Sequence, residues 1–273
     1  MALRGILTAD GRKRSWTDYV SKDEPGDLPK SIKLALYKGF EEERKRWVSV
    51  TTLLYCLRKA KWEYEEDFYL PQQNAYYFMR GNLIHGILSF QDKDDVDSII
   101  ETDFSRPVPG TKLNLNGRID KYSQGILYDY KTMSDNGIYT LIKGGVKEEH
   151  AWQGNMYRWL LKSHDIEVKE IRIVYVMMRM AIQTGDTFFV EDKKSRKLQE
   201  HKLPPCPIYP DDKVESFLIP KFKLLESGGL PPANPQEWMC NTCYFRERCN
   251  KITSTVCAAK VTNKSVVDID NIF

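Results

Sequence analysis

Three charged residues lie in a stretch whose other residues favour β-strands. The segment GRIDKYSQGILYDYKTM, residues 117–133, carries Asp120 before a Gln-Gly pair at 124–125, then Asp129 and Lys131 after it. Aspartate and lysine are disfavoured in strands, and burying either charge is costly unless it is paired or bound to a metal. Their presence in a predicted hairpin therefore indicates a chemical role.

A two-residue loop at 124–125 would set the register of this hairpin, since glycine is free to adopt a positive φ. Asp120 would then lie directly opposite Asp129, and Lys131 would share their face. A three-residue loop would put the aspartates on opposite faces. Two opposed carboxylates repel each other, and a divalent cation between them would remove the repulsion. Oxygen ligands favour Mg²⁺ or Mn²⁺, and a lysine beside the cation can orient a water or stabilise charge on a phosphate.

The elements that would position these residues follow from apolar periodicity and turn signals. Helices are predicted at 28–44, from Ser49 through LLYCLRKAKWEYEE, at 74–91, at 148–163, and over VESFLIPKFKLLESGG, where Pro220 should introduce a kink. Strands are predicted at 98–107, 112–122 and 126–133, in IRIVYVMMRM, and in a segment ending near Val190. Residues 1–27 are predicted to form an arm or loop. This order predicts an α/β core with helical additions.

Two of the predicted helices carry further polar residues near the hairpin. In EEHAWQGNMYRWLLKS, Gln153 and Tyr157 are four residues apart and share a face that adjoins an apolar stripe. In RGNLIHGIL, His85 shares a face with Gly81, where another backbone can approach closely. A lone helical histidine is more often structural than a ligand, but His85 precedes the candidate carboxylate site.

Composition places the chain among globular proteins. Its 273 residues suffice for one large domain or two small ones, and an aromatic content of 12% argues against disorder. The net charge of +3 permits nucleic-acid binding without requiring it. No apolar run approaches the ~20 residues needed to span a bilayer, and the N-terminus lacks a signal-peptide layout. We expect a cytoplasmic protein, or a viral protein that acts in the host cytoplasm, with no membrane partner.

Cysteines crowd near the C-terminus, which in an intracellular chain indicates a metal site before a disulfide framework. Cys240, Cys243 and Cys249 form a C-x2-C-x5-C run that needs a fourth ligand. Cys257 would complete a local zinc site of four cysteines. Cys56 would instead join the second predicted helix to the C-terminal segment, as an iron–sulfur cluster held by four thiolates can. Spacing alone does not choose between them.

The ordered set of candidate residues resembles the RecB-type branch of the PD-(D/E)XK nucleases. The matching positions are His85, Asp120, Asp129-Tyr130-Lys131 and Gln153-x-x-x-Tyr157. The resemblance covers about residues 49–250 and implies a restriction-endonuclease-like α/β core. It also implies a Mg²⁺ or Mn²⁺ site formed by His85, Asp120, Asp129 and the Tyr130 carbonyl. In this family pattern Lys131 helps to activate the attacking water, and Gln153 and Tyr157 position the DNA backbone or the lysine.

The cysteines extend this resemblance. A remote cysteine in SVTTLLYCLRKAKW, followed after the core by C-x2-C-x5-C, is similar to the iron–sulfur nucleases. These include the CRISPR-associated Cas-four exonucleases, AddB-type nuclease domains and the nuclease domain of eukaryotic replication helicase–nucleases. The resemblance implies a structural 4Fe–4S cluster held by Cys56, Cys240, Cys243 and Cys249, with zinc as the alternative. The small size corresponds to the stand-alone Cas-four-like form.

The resulting hypothesis is a metal-dependent deoxyribonuclease, most simply an exonuclease on single-stranded DNA, in DNA processing, recombination or CRISPR spacer acquisition. A non-catalytic DNA- or partner-binding module and a zinc protein of unrelated function are the alternatives. A CRISPR integrase or a recombination protein is a candidate partner, and self-association is compatible with the sequence. Candidate phosphate contacts are Arg80, Arg118, Arg58 and Lys59, and candidate stacking residues are Tyr76, Tyr77, Phe78 and Trp62.

One compact domain with three segments is expected. An N-terminal arm and helix would occupy residues 1–48, a nuclease core with a helical cap residues 49–230, and an iron–sulfur segment with a tail residues 231–273.

Overall fold

The computed structural model describes the chain with several gaps. It describes residues 3–8, 10–22, 29–38, 48–91, 95–133, 135–177, 181–184, 186–192, 195, 197–233, 239–240 and 243–252. Within them the helices are α1 (Trp16–Ser21), α2 (Lys30–Lys38), α3 (Val50–Leu54), α4 (Leu57–Glu65), α5 (Gln72–Gln91), α6 (Asp135–Gly144), α7 (Glu148–Lys162), α8 (Asp211–Glu226) and α9 (Arg246–Ile252). The strands are β1 (Leu3–Leu7), β2 (Lys13–Ser15), β3 (Val48–Ser49), β4 (Phe68–Pro71), β5 (Ile99–Pro107), β6 (Asn114–Ser123), β7 (Ile126–Met133), β8 (Glu170–Met177), β9 (Ala181–Thr184), β10 (Thr187–Glu191) and β11 (Leu198–Lys202).

The largest sheet is built around β6. Strand β5 pairs antiparallel with one edge of β6 along nearly its whole length. The other edge is shared, because β3 pairs in parallel at residues 115–116 and β7 pairs antiparallel at residues 121–123. Strand β7 then continues in parallel with β8. Between β3 and β7, residues 117–120 of β6 have no strand partner on this edge within the described residues of the chain.

The hairpin between β6 and β7 has the predicted two-residue loop. Gln124 and Gly125 have φ angles of 51° and 86°, the pair of positive values that a tight hairpin turn needs. Ser123 pairs with Ile126, which confirms the predicted register. The two strands form only three residue pairs before they separate. The predicted pair of aspartates lies one position beyond the last of these pairs, where the strands have diverged.

Helix α7 packs closely on the sheet because two glycines allow it. A Cβ added at Gly117 would lie 2.6 Å from Tyr157 Cε1, and one added at Gly154 would lie 2.6 Å from Ile171 Cγ2. Neither distance is tolerated by a side chain larger than hydrogen. These contacts set the height of α7 above β6 and β8 and thereby the position of Gln153.

The N-terminal residues form regular structure, contrary to the prediction of an arm or loop. Strand β1 pairs with β2 and, in parallel, with β4. Together with the first helices these strands enclose a second small core that contains Ile6, Tyr19 and Leu70. The prediction was wrong because the partner of β1 follows more than 60 residues later, and a local pattern does not reveal such pairing.

The helix predicted from Ser49 is two helices. Ser49 caps α3 by accepting a hydrogen bond from the Thr52 amide (3.2 Å). The chain is extended at Tyr55 and restarts as α4, with Cys56 at the N-cap position. This break places Cys56 at a helix start and not within a helix.

Other differences from the predicted elements are smaller. Of the first predicted helix, 28–44, the structure describes residues 29–38 and has a helix at Lys30–Lys38; residues 28 and 39–44 lie outside the described ranges. Helix α8 continues through Pro220. Helix α6 and strand β11 are elements that the sequence pattern does not predict, and β11 pairs with β10, which also pairs with β9, in a third sheet. Among the described residues, every helix is too short or too polar to cross a bilayer.

Candidate active site

Asp120 lies where the hairpin strands separate, and its carboxylate connects three elements. Its Oδ2 accepts a hydrogen bond from the backbone N–H of Tyr130 in β7 (2.6 Å). Its Oδ1 lies 3.2 Å from His85 Nδ1 on α5. The side chain is buried. The Asp120 carboxylate therefore replaces a ladder hydrogen bond between β6 and β7. It also connects α5 to the point where these two strands separate.

A second carboxylate completes a group around His85. Glu101 Oε1 in β5 lies 3.5 Å from His85 Nδ1. Ligand atoms of His85, Glu101 and Asp120 all lie within 4.8 Å of one another, the one such group of three or more among the described residues. One imidazole nitrogen and two carboxylate oxygens form a donor set that suits Mg²⁺ or Mn²⁺. The residues present therefore fit a divalent cation.

Asp129 is the most deeply buried charge of the site, with 1% of its surface exposed. The Lys131 ammonium lies 2.5 Å from its Oδ2. Apart from that ion pair, neither carboxylate oxygen has a hydrogen-bond donor among the described residues. A buried carboxylate with so few partners is costly, and a cation next to it would supply the missing interaction.

The site also shifts the pKa values of its own residues. Burial lowers the pKa of His85, but the hydrogen bonds and charges of Asp120 and Glu101 outweigh it and raise the pKa to about 10. Burial raises the pKa of Asp129 to about 6, although Lys131 opposes the shift. Without a cation the site therefore retains protons, which metal binding would release.

In metal-free protein, Asp129 is expected to make the stability of the fold decrease as the pH rises. Its folded-state pKa of about 6 exceeds the ~3.9 of an unfolded aspartate, so the folded state binds more protons between these values. Asp129→Asn should remove this dependence and raise the free energy of unfolding above pH 7 by about 1–3 kcal/mol relative to wild type. Denaturant unfolding of chelator-treated protein between pH 5 and pH 8 measures the difference.

The exposed Asp97→Asn provides a charge-matched control for this prediction. It should leave the slope of stability against pH unchanged. A difference between Asp129→Asn and wild type that is the same at pH 5 and pH 8 would contradict the prediction.

Gln153 and Tyr157 lie in the interior next to the site. Gln153 Nε2 donates a hydrogen bond to the Tyr157 hydroxyl (3.1 Å), and both side chains are buried. Burial, and then the charges of Asp129 and Asp120, raise the pKa of Tyr157 well above its usual value. Neither residue forms a hydrogen bond with Lys131 within the described ranges of the chain. Direct contact with DNA would require the interior to open, so their implied role stays a prediction.

Glu101 is the site residue that the sequence analysis does not identify. Its neighbours Ile100 and Thr102 pair with Lys121 and Ile119, so Glu101 is aligned with Asp120 across the two strands. Its φ of 44° lies in the left-handed region, which residues other than glycine rarely adopt. The strands are joined by six residues, 108–113, and this length leaves the register open from sequence alone.

Two further residues that the sequence analysis does not identify, Tyr175 and His150, form a pair beside Lys131. Tyr175 in β8 is the register partner of Lys131, and its hydroxyl lies 2.9 Å from His150 Nδ1 on α7. Burial, and then the charge of Lys131, lower the pKa of His150 to about 2, so the imidazole is neutral. The neutral His150 imidazole therefore lies on the Tyr175 side of Lys131, whose ammonium is paired with the carboxylate of Asp129.

The predicted cysteine ligands come together in one region. Burial raises the pKa of Cys243, and Cys56 and Cys240 lie near enough to raise it further. Arg58, two residues after Cys56, places Nη1 3.2 Å from Cys249 Sγ. No three cysteine sulfurs of the described residues lie within 4.8 Å of one another. The alternative ligand Cys257 lies outside the described residues.

Two of the predicted DNA contacts belong to this cysteine region. Arg58 is 6% exposed and also donates a hydrogen bond to the Pro231 carbonyl (2.9 Å). Lys59 Nζ lies 4.8 Å from the centre of the Tyr244 ring and 3.7 Å from Glu63. Because the Arg58 guanidinium is buried against the C-terminal segment, contact with DNA would require that segment to move, and this role stays a prediction. Lys59 faces the same segment.

The remaining candidates for DNA contact differ in exposure. Arg118 is exposed and forms two hydrogen bonds with Asp103 (3.1 and 2.9 Å). Arg80 lies on α5 five residues before His85. Trp62 is buried against Phe245 and is a core residue, so it is not available for stacking. Phe78, by contrast, is 40% exposed, and Tyr76 and Tyr77 are half-buried.

Comparison with known protein families assigns the chain to a superfamily. The sequence profile of the PD-(D/E)XK nuclease superfamily matches residues 91–250. This range holds Glu101, Asp120, Asp129 and Lys131 and covers more than half of the chain. The protein therefore belongs to the PD-(D/E)XK nuclease superfamily, whose members use divalent metal ions.

One solved structure supports the fold. The crystal structure of SSO0001 aligns with a TM-score of 0.50 at 18% identity, covering 85% of this chain and 97% of that one. A candidate exonuclease from Eubacterium rectale aligns over 97% of this chain and 92% of its own at 12% identity, with a TM-score of 0.32, too low to indicate a common fold. No curated protein matches the sequence.

Proposed function

We propose that this protein is a divalent-metal-dependent deoxyribonuclease of the Cas-four-like or AddB-like iron–sulfur branch, and that it acts as an exonuclease on single-stranded DNA. The observation that carries the proposal is the meeting of Asp120, Asp129, Lys131 and His85 where β6 and β7 separate. A protein that only binds DNA would gain nothing from buried carboxylates, because they repel phosphate.

His85, Asp120, Asp129 and the Tyr130 carbonyl would hold Mg²⁺ or Mn²⁺ in this proposal. The nearly unpartnered oxygens of Asp129 and the convergence of His85 with Asp120 support this assignment. When bound, the cation would polarise the scissile phosphate and make the attacking water more acidic.

The protein's own residues would orient the reactants and stabilise charge. Asp120 is held in place by the Tyr130 N–H and by His85. Lys131, fixed by its ion pair with Asp129, would stabilise the negative charge that develops on the phosphate and orient the water. The water oxygen forms a bond to phosphorus as one ester bond breaks, and the departing oxygen takes up a proton.

Cys56, Cys240, Cys243 and Cys249 would hold a 4Fe–4S cluster that is structural. Four thiolates about 2.3 Å from one zinc ion would lie about 3.8 Å from one another. No three of the described cysteine sulfurs lie that close together, and zinc stays the alternative to the cluster. Such a cluster would join α4 to the C-terminal segment, which Arg58 already contacts at Cys249 and at Pro231.

We also propose the wider setting that the resemblance implies. The protein would act on DNA in the cytoplasm, of a cell or of a virus-infected host, during recombination, DNA processing or CRISPR spacer acquisition. A recombination protein or a CRISPR integrase would be its partner. Residues 1–48, 49–230 and 231–273 would serve as the N-terminal segment, the nuclease core and the iron–sulfur segment of one domain.

Linear and circular DNA test the proposed exonuclease activity. With Mn²⁺ or Mg²⁺, the protein is expected to shorten end-labelled linear single strands, to leave circular single strands intact, and to cut linear duplexes more slowly. Labels at the 5′ and 3′ ends give the direction of cleavage. Cutting of the circle would identify an endonuclease instead, and no cutting of any substrate by folded, iron-loaded protein would contradict nuclease function.

A further inference from the structure

We infer that Glu101 is a ligand of the active-site cation, in addition to the residues that the nuclease resemblance implies. The inference rests on the proposed metal-dependent function and extends its site by one residue of β5. It would make the metal centre of this chain a meeting point of β5, β6 and α5, with the Asp129–Lys131 ion pair beside it.

The contacts around His85 carry the inference. His85 Nδ1 lies between two carboxylate oxygens, 3.2 Å from Asp120 Oδ1 and 3.5 Å from Glu101 Oε1. All three ligand atoms lie within 4.8 Å of one another, and Asp129 does not join this group. Glu101 is thus better placed than Asp129 to share a cation with His85 and Asp120. Its side chain is 31% exposed, so a cation can reach it from solvent.

The backbone at Glu101 holds the carboxylate in this place. The flanking residues Ile100 and Thr102 pair with β6, while Glu101 itself adopts a φ of 44°. A left-handed conformation is sterically unfavourable for a residue other than glycine and tends to occur at functional sites. The deviation is confined to the residue aligned with Asp120.

Asp129 supplies independent support for a cation at this location. It is 1% exposed, and no described residue donates a hydrogen bond of good geometry to either oxygen. It lies on β7 one position beyond the last residue pair of β6 and β7, as Asp120 does on β6. The three carboxylates outnumber the two positive charges that Lys131 and protonated His85 supply, and a cation would balance the excess.

Glu101 has one competing role, that of a counter-ion to protonated His85. In that case the carboxylate would stabilise the fold and contribute nothing to metal affinity. The two roles differ in a direct binding measurement, which does not depend on catalysis.

Mn²⁺ binding to the full chain separates these roles. Iron-loaded protein, freed of loosely bound metal with a chelator and then desalted, would be titrated with Mn²⁺ alone, and free Mn²⁺ followed by electron paramagnetic resonance. Glu101→Gln is expected to weaken Mn²⁺ binding by about 10- to 100-fold. Asp120→Asn should weaken it at least as much, and Glu200→Gln, at an exposed position in β11, should bind as wild type does.

Each result distinguishes this inference from the proposed function. Wild-type affinity in Glu101→Gln, together with lost affinity in Asp120→Asn, would overturn the role of Glu101 and leave the metal site standing. A Glu101→Gln variant that has a lower unfolding temperature but wild-type Mn²⁺ affinity would also overturn the role of Glu101 and leave the metal site standing. Absence of Mn²⁺ binding by wild type would overturn both. If Glu101→Gln misfolds, Glu101→Gly, which accommodates the positive φ, is expected to fold and to show the same weakened binding.

Discussion

Replacing Lys131 with alanine is expected to lower the rate of metal-dependent DNA cleavage by about 10²- to 10³-fold. The estimate is the usual cost of removing one preorganised positive or donating group from the place where charge develops. Lys131 is held 2.5 Å from the buried Asp129, so its ammonium is fixed before substrate binds. Because that group acts on the reacting phosphate and not on the cation, Mn²⁺ affinity should change little.

The matched control for Lys131→Ala is the same substitution at a lysine elsewhere on the surface. Lys223→Ala, at an exposed position in α8, should cleave DNA at the wild-type rate. Initial rates at saturating DNA and Mn²⁺ give the comparison, and circular dichroism shows whether each variant is folded. A Lys131→Ala variant as active as Lys223→Ala would mean that the end of the hairpin is not where cleavage occurs.

Replacing Cys56 with serine is expected to remove the iron and to destabilise the protein. Cys56 is far in sequence from the C-terminal cysteines, so a cluster that includes it cross-links α4 to that segment. Loss of a cross-link that closes so long a loop costs about 2–4 kcal/mol. Iron and sulfide content and visible absorption of anaerobically purified protein report the cluster, and denaturant unfolding reports the stability.

Cys206→Ser is the matched control, because Cys206 is buried in the core away from the predicted ligand set. It should keep its full iron content and visible absorption. A Cys56→Ser variant that retains the cluster would favour Cys257 as the fourth ligand. Stoichiometric zinc without iron in wild type would support the zinc alternative.

The hairpin could be predicted in detail because its information is local. A Gln-Gly pair between two apolar runs specifies a two-residue loop, and the loop length alone sets which residues face each other. The spacing of Gln153 and Tyr157 on one helix face is local in the same sense. The sequence does not disclose that the strands diverge just before the aspartates, since this depends on where β3 and β8 pair with them.

Contacts between residues that are distant in sequence were missed, because a local sequence pattern does not reveal them. Glu101 meets Asp120 only through the register of β5 on β6, which a six-residue connection leaves undetermined. The pairing of β1 with β4 likewise joins segments distant in sequence. Arg58 looks like surface charge in a basic run, yet tertiary structure buries it beside Cys249. A run of charged residues predicts exposed side chains only where no distant segment of the chain packs over it.

Cleavage of end-labelled DNA by wild type and by Asp120→Asn, each in Mn²⁺ and in chelator, tests the central claim most directly. Asp120 contacts both the Tyr130 backbone and His85, so every version of the site requires it. We expect cleavage only by wild type and only with the metal. Cleavage that persists in chelator or in Asp120→Asn, or no cleavage by folded wild type, would contradict the claim that this hairpin forms a metal-dependent nuclease site.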